Sequence, residues 1–146
     1  MRCGWYSILA IVMVGGVMSG CSRDIPREKR AVNDLRVPAE TVQSWLDEGR
    51  DVLFIDLRSE PEWEASSRQI PGALRVQSYL GVEDLVQTLD KDRCVVTYCT
   101  SLNEGTSAGL ALMLRDKGFE CSYALLGGWD AWVQGGYPVA EKTSPQ

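Results

Sequence analysis

The sequence predicts a single α/β domain whose mainly parallel sheet is covered by helices on both faces. Three observations lead there. The runs Val52-Leu53-Phe54-Ile55 and Cys94 to Tyr98 are short and continuously apolar, as strands buried on both sides are, and lack the alternation of a half-solvated sheet. Segments with apolar residues at i, i+3 and i+4 separate such runs, so strands alternate with helices. At 146 residues, 45% hydrophobic and 24% charged, the chain can build one globular core and is too short for two.

The elements follow in order from Leu35. Pro38 to Glu48 sets Val42, Trp45 and Leu46 on one helical face, with Gly49 as the stop. The strand Val52 to Ile55 ends at Asp56, and Pro61 to Ala65 make one or two helical turns. Ile70-Pro71-Gly72 turns the chain into a short strand, Ala73 to Val76. A helix over Leu80 to Leu89 carries Leu85, Val86 and Leu89, and the strand Cys94 to Tyr98 follows it. Thr106 to Lys117 forms the strongest helix, with Leu110, Met113 and Leu114 on one face and Gly118 at C′. A strand over Cys121 to Leu125 precedes a short helix, Trp129 to Gln134, that turns Trp129, Trp132 and Val133 inward. Trp45, Trp63, Trp129 and Trp132 read as packing residues. The domain spans 35–140, with 141–146 as a tail, and contains no internal repeat.

Composition excludes several chemistries. Lys and Arg total 15 against 20 Asp and Glu, a net charge of −5, which argues against nucleic acid as a partner. The chain has no histidine, which removes His-based triads, Cys–His dyads and His-ligated metal sites. None of the five cysteines has zinc-site spacing, so no metal is expected.

Residues 1–20 (MRCGWYSILAIVMVGGVMSG) carry one charge, Arg2, then an apolar stretch and small residues, the layout of a secretory signal. Met18-Ser19-Gly20-Cys21 resembles a bacterial lipobox, with Met18 where Leu is usual; cleavage after Gly20 would leave Cys21 as a lipidated N-terminus. An uncleaved anchor helix and plain cleavage are the alternatives. The expected location is extracytoplasmic, on the periplasmic side of a bacterial membrane, and Ser22 after the cysteine favours the outer membrane by resemblance to known sorting. The polar segment from Ser22 to Asp34 completes a tether over 21–34.

In doubly covered parallel sheets, ligands sit beyond the carboxyl ends of strands. Asp56-Leu57-Arg58 and Cys99 to Gly105 stand at such ends. A cysteine after a buried strand, followed by a small polar loop and a helix start, can face inward-pointing amides and the positive end of the helix dipole. Both stabilise a thiolate, and the same amides can hold an oxyanion. A buried core thiol is the other reading of Cys99.

From about Val37 to Val139 the chain resembles the rhodanese family of sulfurtransferases. The resemblance rests on IDLRSEPEW at 55–63, IPGA at 70–73, VVTYC at 95–99, Gly118-Phe119, and LLGGWDAWVQGGYPV at 125–139. It implies a five-stranded sheet and a persulfide-forming Cys99. It further implies an anion-cradling loop of Thr100, Ser101, Leu102, Asn103, Glu104 and Gly105, with Thr106 at the helix start, and supporting roles for Asp56 and Arg58. The loop departs from the common C-x-x-G-x-R-S pattern: it is about two residues longer and has no basic residue between Cys99 and Arg115. It is similar to a subgroup reading C-T-C-P-N-E-x-T-S, with Ser101 for the second cysteine and Leu102 for proline. The usual Gly-His before Ile-Pro-Gly-Ala is Arg68-Gln69.

Glu104 would oppose a dianion such as thiosulfate by Coulomb repulsion unless Arg58 or Arg68 compensates. It could instead face solvent, cap the following helix, or recognise a neutral or cationic donor. The C-x5-R loop of phosphatases on this scaffold is absent, since the sixth residue after Cys99 is Gly105. Cys3 belongs to the signal. Cys94 and Cys121 open strands that resemble neighbours in the family sheet; buried free thiols are expected, because pairing across adjacent strands strains the bond, and a bridge is the alternative. The resemblance implies a sulfurtransferase that takes sulfane sulfur from a small donor anion and passes it to a thiol, a cyanide-like acceptor or a protein. A non-catalytic binding module and a partner-dependent sulfur carrier are the alternatives.

Overall fold

The computed structural model describes residues 35–77, 79–100 and 104–142. The signal-like segment 1–20, Cys21, the tether and the loop residues Ser101, Leu102 and Asn103 lie outside the described residues. In chain order the elements are β1 (Arg36–Val37), α1 (Ala39–Asp47), β2 (Val52–Asp56), α2 (Glu60–Glu64), β3 (Arg68–Gln69), β4 (Leu74–Arg75), α3 (Tyr79–Thr88), β5 (Cys94–Tyr98), α4 (Gly105–Asp116), β6 (Ser122–Leu125), α5 (Gly128–Gln134) and β7 (Ala140–Glu141).

Five strands form one sheet in the order β1-β6-β5-β2-β4, and every pairing in it is parallel. The apolar runs read from sequence become its centre, because successive side chains of β2 and β5 leave on opposite faces and both faces are covered. Phe54 and Val96 pack on one side with Val42 and Trp132. Leu53, Ile55 and Val95 pack on the other with Val86, Leu110 and Leu114. Trp132 is fully buried, stands edge-on to Phe54 at 5.4 Å, and donates its indole N–H to Pro138 O at 2.8 Å.

Chain punctuation follows the sequence closely. The Ile70-Pro71-Gly72 turn closes with Ala73 N–H on Ile70 O at 3.0 Å, although the strand behind it narrows to Leu74–Arg75. Gly118 takes φ +97° after α4, the left-handed conformation that ends helices and favours glycine. Glu62 reaches back to accept the Ser59 N–H and hydroxyl at 2.9 and 2.7 Å, which fixes the start of α2.

Several expectations need correction. Val133 is 36% exposed rather than inward, because α5 is seven residues long and its buried face is filled by Trp129 and Trp132. The antiparallel ribbon of β3 and β7 was not foreseen; it carries the fold past position 140, and Lys142 N–H also binds Ser67 O at 2.9 Å. Two-residue strands carry no periodicity to read.

Cys94 and Cys121 are joined in a disulfide, not left as free thiols. The register sets Val95 opposite Ser122, so the preceding pair falls directly opposite with Cα atoms 4.6 Å apart, within bridging reach. Cys121 precedes β6 rather than lying within it, so its backbone is not held by the ladder on both sides. Closing a loop of sequence separation 27 restricts the unfolded chain and stabilises the fold by about 3 kcal/mol. Urea unfolding of a Cys94→Ala/Cys121→Ala variant should show that loss, and dithiothreitol should lower wild-type stability by a similar amount while leaving the variant unchanged.

Candidate active site

Asp56 and Tyr98 are register partners at the carboxyl ends of β2 and β5, and the loops leaving them meet at one edge of the sheet. The first is locked by a buried ion pair. Arg58 Nη2 lies 2.6 Å from Asp56 Oδ2, and its Nε spans both carboxylate oxygens at 3.1 and 3.0 Å. Arg58 N–H and the Tyr98 hydroxyl complete the shell around the carboxylate, at 3.0 and 2.6 Å. Burial, and then the adjacent Asp56 carboxylate, push the Tyr98 hydroxyl well above the ordinary phenol range, so it stays protonated as a donor. The guanidinium also reaches Arg68 O at 3.0 Å and lies over the rings of Trp129 and Trp63 at 4.3 and 4.9 Å. Asp56 and Arg58 thus tie strand ends and aromatic packing together, and neither side chain is exposed to solvent.

Cys99 follows β5 directly, is buried, and is the free cysteine among the described residues. Trp129 N–H binds its carbonyl at 2.9 Å. That approach requires Gly128: a Cβ there would stand 2.0 Å from Cys99 O, and φ is +53°. The GGW motif therefore has a physical reason, since the start of α5 lies against the Cys99 peptide.

The sulfur faces a hydroxyl. Cys99 Sγ is 3.5 Å from Ser107 Oγ, on the first turn of α4. Ser107 is fully buried; its hydroxyl donates to Glu104 O at 3.0 Å, and its carbonyl accepts Thr97 Oγ1–H at 2.8 Å. A hydroxyl so placed accepts from a thiol and can turn to donate to a thiolate. The helical ladder of α4 begins with Ala108 N–H on Glu104 O at 2.8 Å, so the first-turn amides precede it and the positive end of the dipole lies toward Cys99. The sequence reading omitted Ser107, although the final serine of C-T-C-P-N-E-x-T-S falls on it.

Glu104 is neither solvated nor an ordinary cap. It is the one non-glycine residue of positive φ among those described (φ +48°) and is buried. One carboxylate oxygen accepts Gly127 N–H at 2.7 Å, and the other accepts Arg36 Nε at 2.5 Å. The compensating cation is therefore Arg36 on β1, not Arg58, which is committed to Asp56, or Arg68, which lies in the β3–β7 ribbon. Only a two-residue strand holds Arg36, so no sequence pattern marked it.

Thr100 is half-buried beside α2: the Ser59 hydroxyl, and after it the Thr100 hydroxyl, hold the Glu62 carboxyl below the usual carboxylate range. Gly105 and Thr106 are exposed on the first turn of α4. A broad depression of about 620 Å³ lies elsewhere, against the disulfide at the opposite sheet edge, lined by Asp51, Asp90 and Arg93 among others. Its two cysteines are spent on the disulfide, so it offers no thiol.

Residues 38–135 match the rhodanese-like domain. The chain belongs to that family. Thiosulfate sulfurtransferase GlpE of Coxiella burnetii is 28% identical over 92 residues, covering 62% of this chain and 81% of GlpE. The probable adenylyltransferase/sulfurtransferase MoeZ of Mycobacterium tuberculosis is 29% identical over 107 residues, covering 72% of this chain. This rhodanese-like chain spans about a quarter (26%) of MoeZ's length. In the crystal structure of SseA from Escherichia coli, described as having the rhodanese fold of 3-mercaptopyruvate sulfotransferases, the same fold recurs. The TM-score is 0.59 at 18% identity, over 76% of this chain and 53% of that one.

Ser107→Ala should slow alkylation of Cys99 by iodoacetamide at neutral pH by about tenfold, the loss of one hydrogen bond to a charged acceptor. The urea midpoint should fall only slightly. An unchanged alkylation rate would show that the hydroxyl does not act on the sulfur.

Proposed function

We propose that the domain is a sulfurtransferase that carries sulfane sulfur as a persulfide on Cys99. The observation that carries this reading is the placement of Cys99, outside any disulfide, directly after β5, with Ser107 Oγ 3.5 Å from Sγ and the start of α4 facing it. Membership of the family and the names of the sulfurtransferase relatives support it.

The reaction is a double displacement. The Cys99 thiolate attacks the outer sulfur of a donor such as thiosulfate; the sulfur–sulfur bond of the donor breaks, and sulfite leaves with the bonding pair. The new Cys99–S–S⁻ carries the charge that the thiolate brought. An acceptor thiolate, cyanide or a protein thiol then attacks the outer sulfur, and Cys99 leaves as the thiolate. Charge is conserved in each half, and no cofactor is consumed. The Ser107 hydroxyl and the amides at the start of α4 are the donors available to the anionic sulfur as it moves outward.

The domain works outside the cytoplasm in this proposal, held to a bacterial membrane by lipid on Cys21, with the outer membrane favoured by Ser22. The Cys94–Cys121 bond supports an oxidising compartment, since structural disulfides are rare in the cytosol.

Intact mass spectrometry of the chain incubated with thiosulfate or polysulfide should show one reducible sulfur atom added to wild type and none to Cys99→Ser. A folded wild type with an alkylatable Cys99 that takes up no sulfur from any donor would overturn the reading. For location, the full chain expressed in bacteria with a labelled fatty acid should take up the label, and Cys21→Ser should not. A wild type that takes up no label would rule out the lipid anchor.

A further inference from the structure

Glu104 is tied to Cys99 by two routes, its carboxylate accepting the N–H of Gly127, two residues before the Trp129 that binds Cys99 O, and its backbone acting through Ser107. Its own carbonyl accepts the Ser107 hydroxyl at 3.0 Å, and that hydroxyl is 3.5 Å from Sγ. Glu104 cannot swing away, because its left-handed backbone begins α4 and its Oε1 is fixed on Gly127 N–H. The chain therefore keeps a buried negative charge beside a pocket in which an anionic sulfur must form. A buried carboxylate requires a partner. Arg36 provides it from a strand 68 residues earlier, with its side chain 26% exposed and the glutamate's 7%.

We propose that the Arg36–Glu104 pair is the charge-selecting element of the Cys99 pocket, with Arg36 as a specificity-determining positioning residue. The inference rests on the sulfurtransferase reading for its biological meaning. The segment from Cys99 to Glu104 contributes no cation of its own. With Arg36 in place the loop end is close to neutral, and attraction for an anion comes from hydroxyl and backbone dipoles. That balance suits sulfane donors of one negative charge or none. A dianion would surrender more hydration on entry without a full countercharge to meet it. Removing Arg36 would add a full negative potential beside the sulfur; neutralising Glu104 would do the reverse.

The opposite signs make the test decisive. Alkylation of Cys99 by iodoacetate relative to iodoacetamide compares an anion with a neutral probe of similar size at the same sulfur, and it needs no sulfur transfer. At an effective dielectric constant of about 20, a unit charge within roughly 10 Å changes such a ratio by about tenfold. Arg36→Gln should lower the ratio by up to that factor, and Glu104→Gln should raise it. The double variant should return near wild type, and Arg36→Lys should keep the wild-type ratio.

The KM for thiosulfate should move with the ratio, upward in Arg36→Gln and downward in Glu104→Gln, and the KM for a thiosulfonate, a sulfane donor of one negative charge, should move in the same directions by less. A ratio unmoved by Arg36→Gln, or moved in one direction by both single variants, would overturn the proposal, since a packing lesion has no sign. If the alkylation ratios behave as stated and no donor transfers sulfur, the sulfurtransferase reading fails and the charge assignment stands.

Discussion

The carboxyl end of the sheet depends on one buried carboxylate. Asp56 sits at the end of the central strand β2, where an unpaired charge would cost several kcal/mol. Arg58 and Tyr98 make it tolerable, and in doing so they fix the loop after β2 to the end of β5. The same guanidinium holds Arg68 O and stacks on two tryptophans from opposite sides of the chain. Removal of any one member would leave another buried and unsatisfied. Such clusters are poor sources of net stability against a well-packed apolar alternative. Here the cluster gives the strand ends a single mutual arrangement.

That arrangement reaches the sulfur through Trp129. Its ring lies under Arg58, and its N–H holds the Cys99 carbonyl. Gly128 allows the close approach, and Gly127 is held by Glu104. Cys99, the turn before α5 and the start of α4 form a closed circuit: Cys99 to Trp129, back along the chain to Gly127, across to Glu104, through Ser107, and again to Cys99. A small rotation of α4 would change the hydroxyl–sulfur distance, and the circuit opposes that rotation at both ends.

Much of this was legible in the sequence, because its signals were local. Apolar runs without alternation gave both central strands, Gly118 gave the end of α4, and Cys99 stood out by its position between a strand and a helix. What escaped reading depended on pairings distant in the chain. Arg36 lies in a two-residue strand beside a polar segment, and its partner is on the other side of the active loop. The β3–β7 ribbon joins residues far apart with too few positions to show a period. The disulfide turned on register: strain between adjacent strands is a sound objection within a ladder, and Cys121 sits at the ladder's very end, its carbonyl accepting Val95 N–H at 2.7 Å. Ser107 belonged to a quoted motif, yet it was treated as helix rather than chemistry.

Three cysteines fall within the described domain, and the fold separates them by function as well as by distance. Cys94 and Cys99 are opposite ends of the same strand, roughly 16 Å apart at the rise of an extended chain. A thiol near a persulfide would attack its inner sulfur, release hydrosulfide and close an inert disulfide. With Cys94 and Cys121 committed to each other, no other thiol among the described residues remains to intercept the sulfur that Cys99 would carry in the proposed reaction. The lifetime of such a persulfide would then be set by molecules arriving from outside the domain.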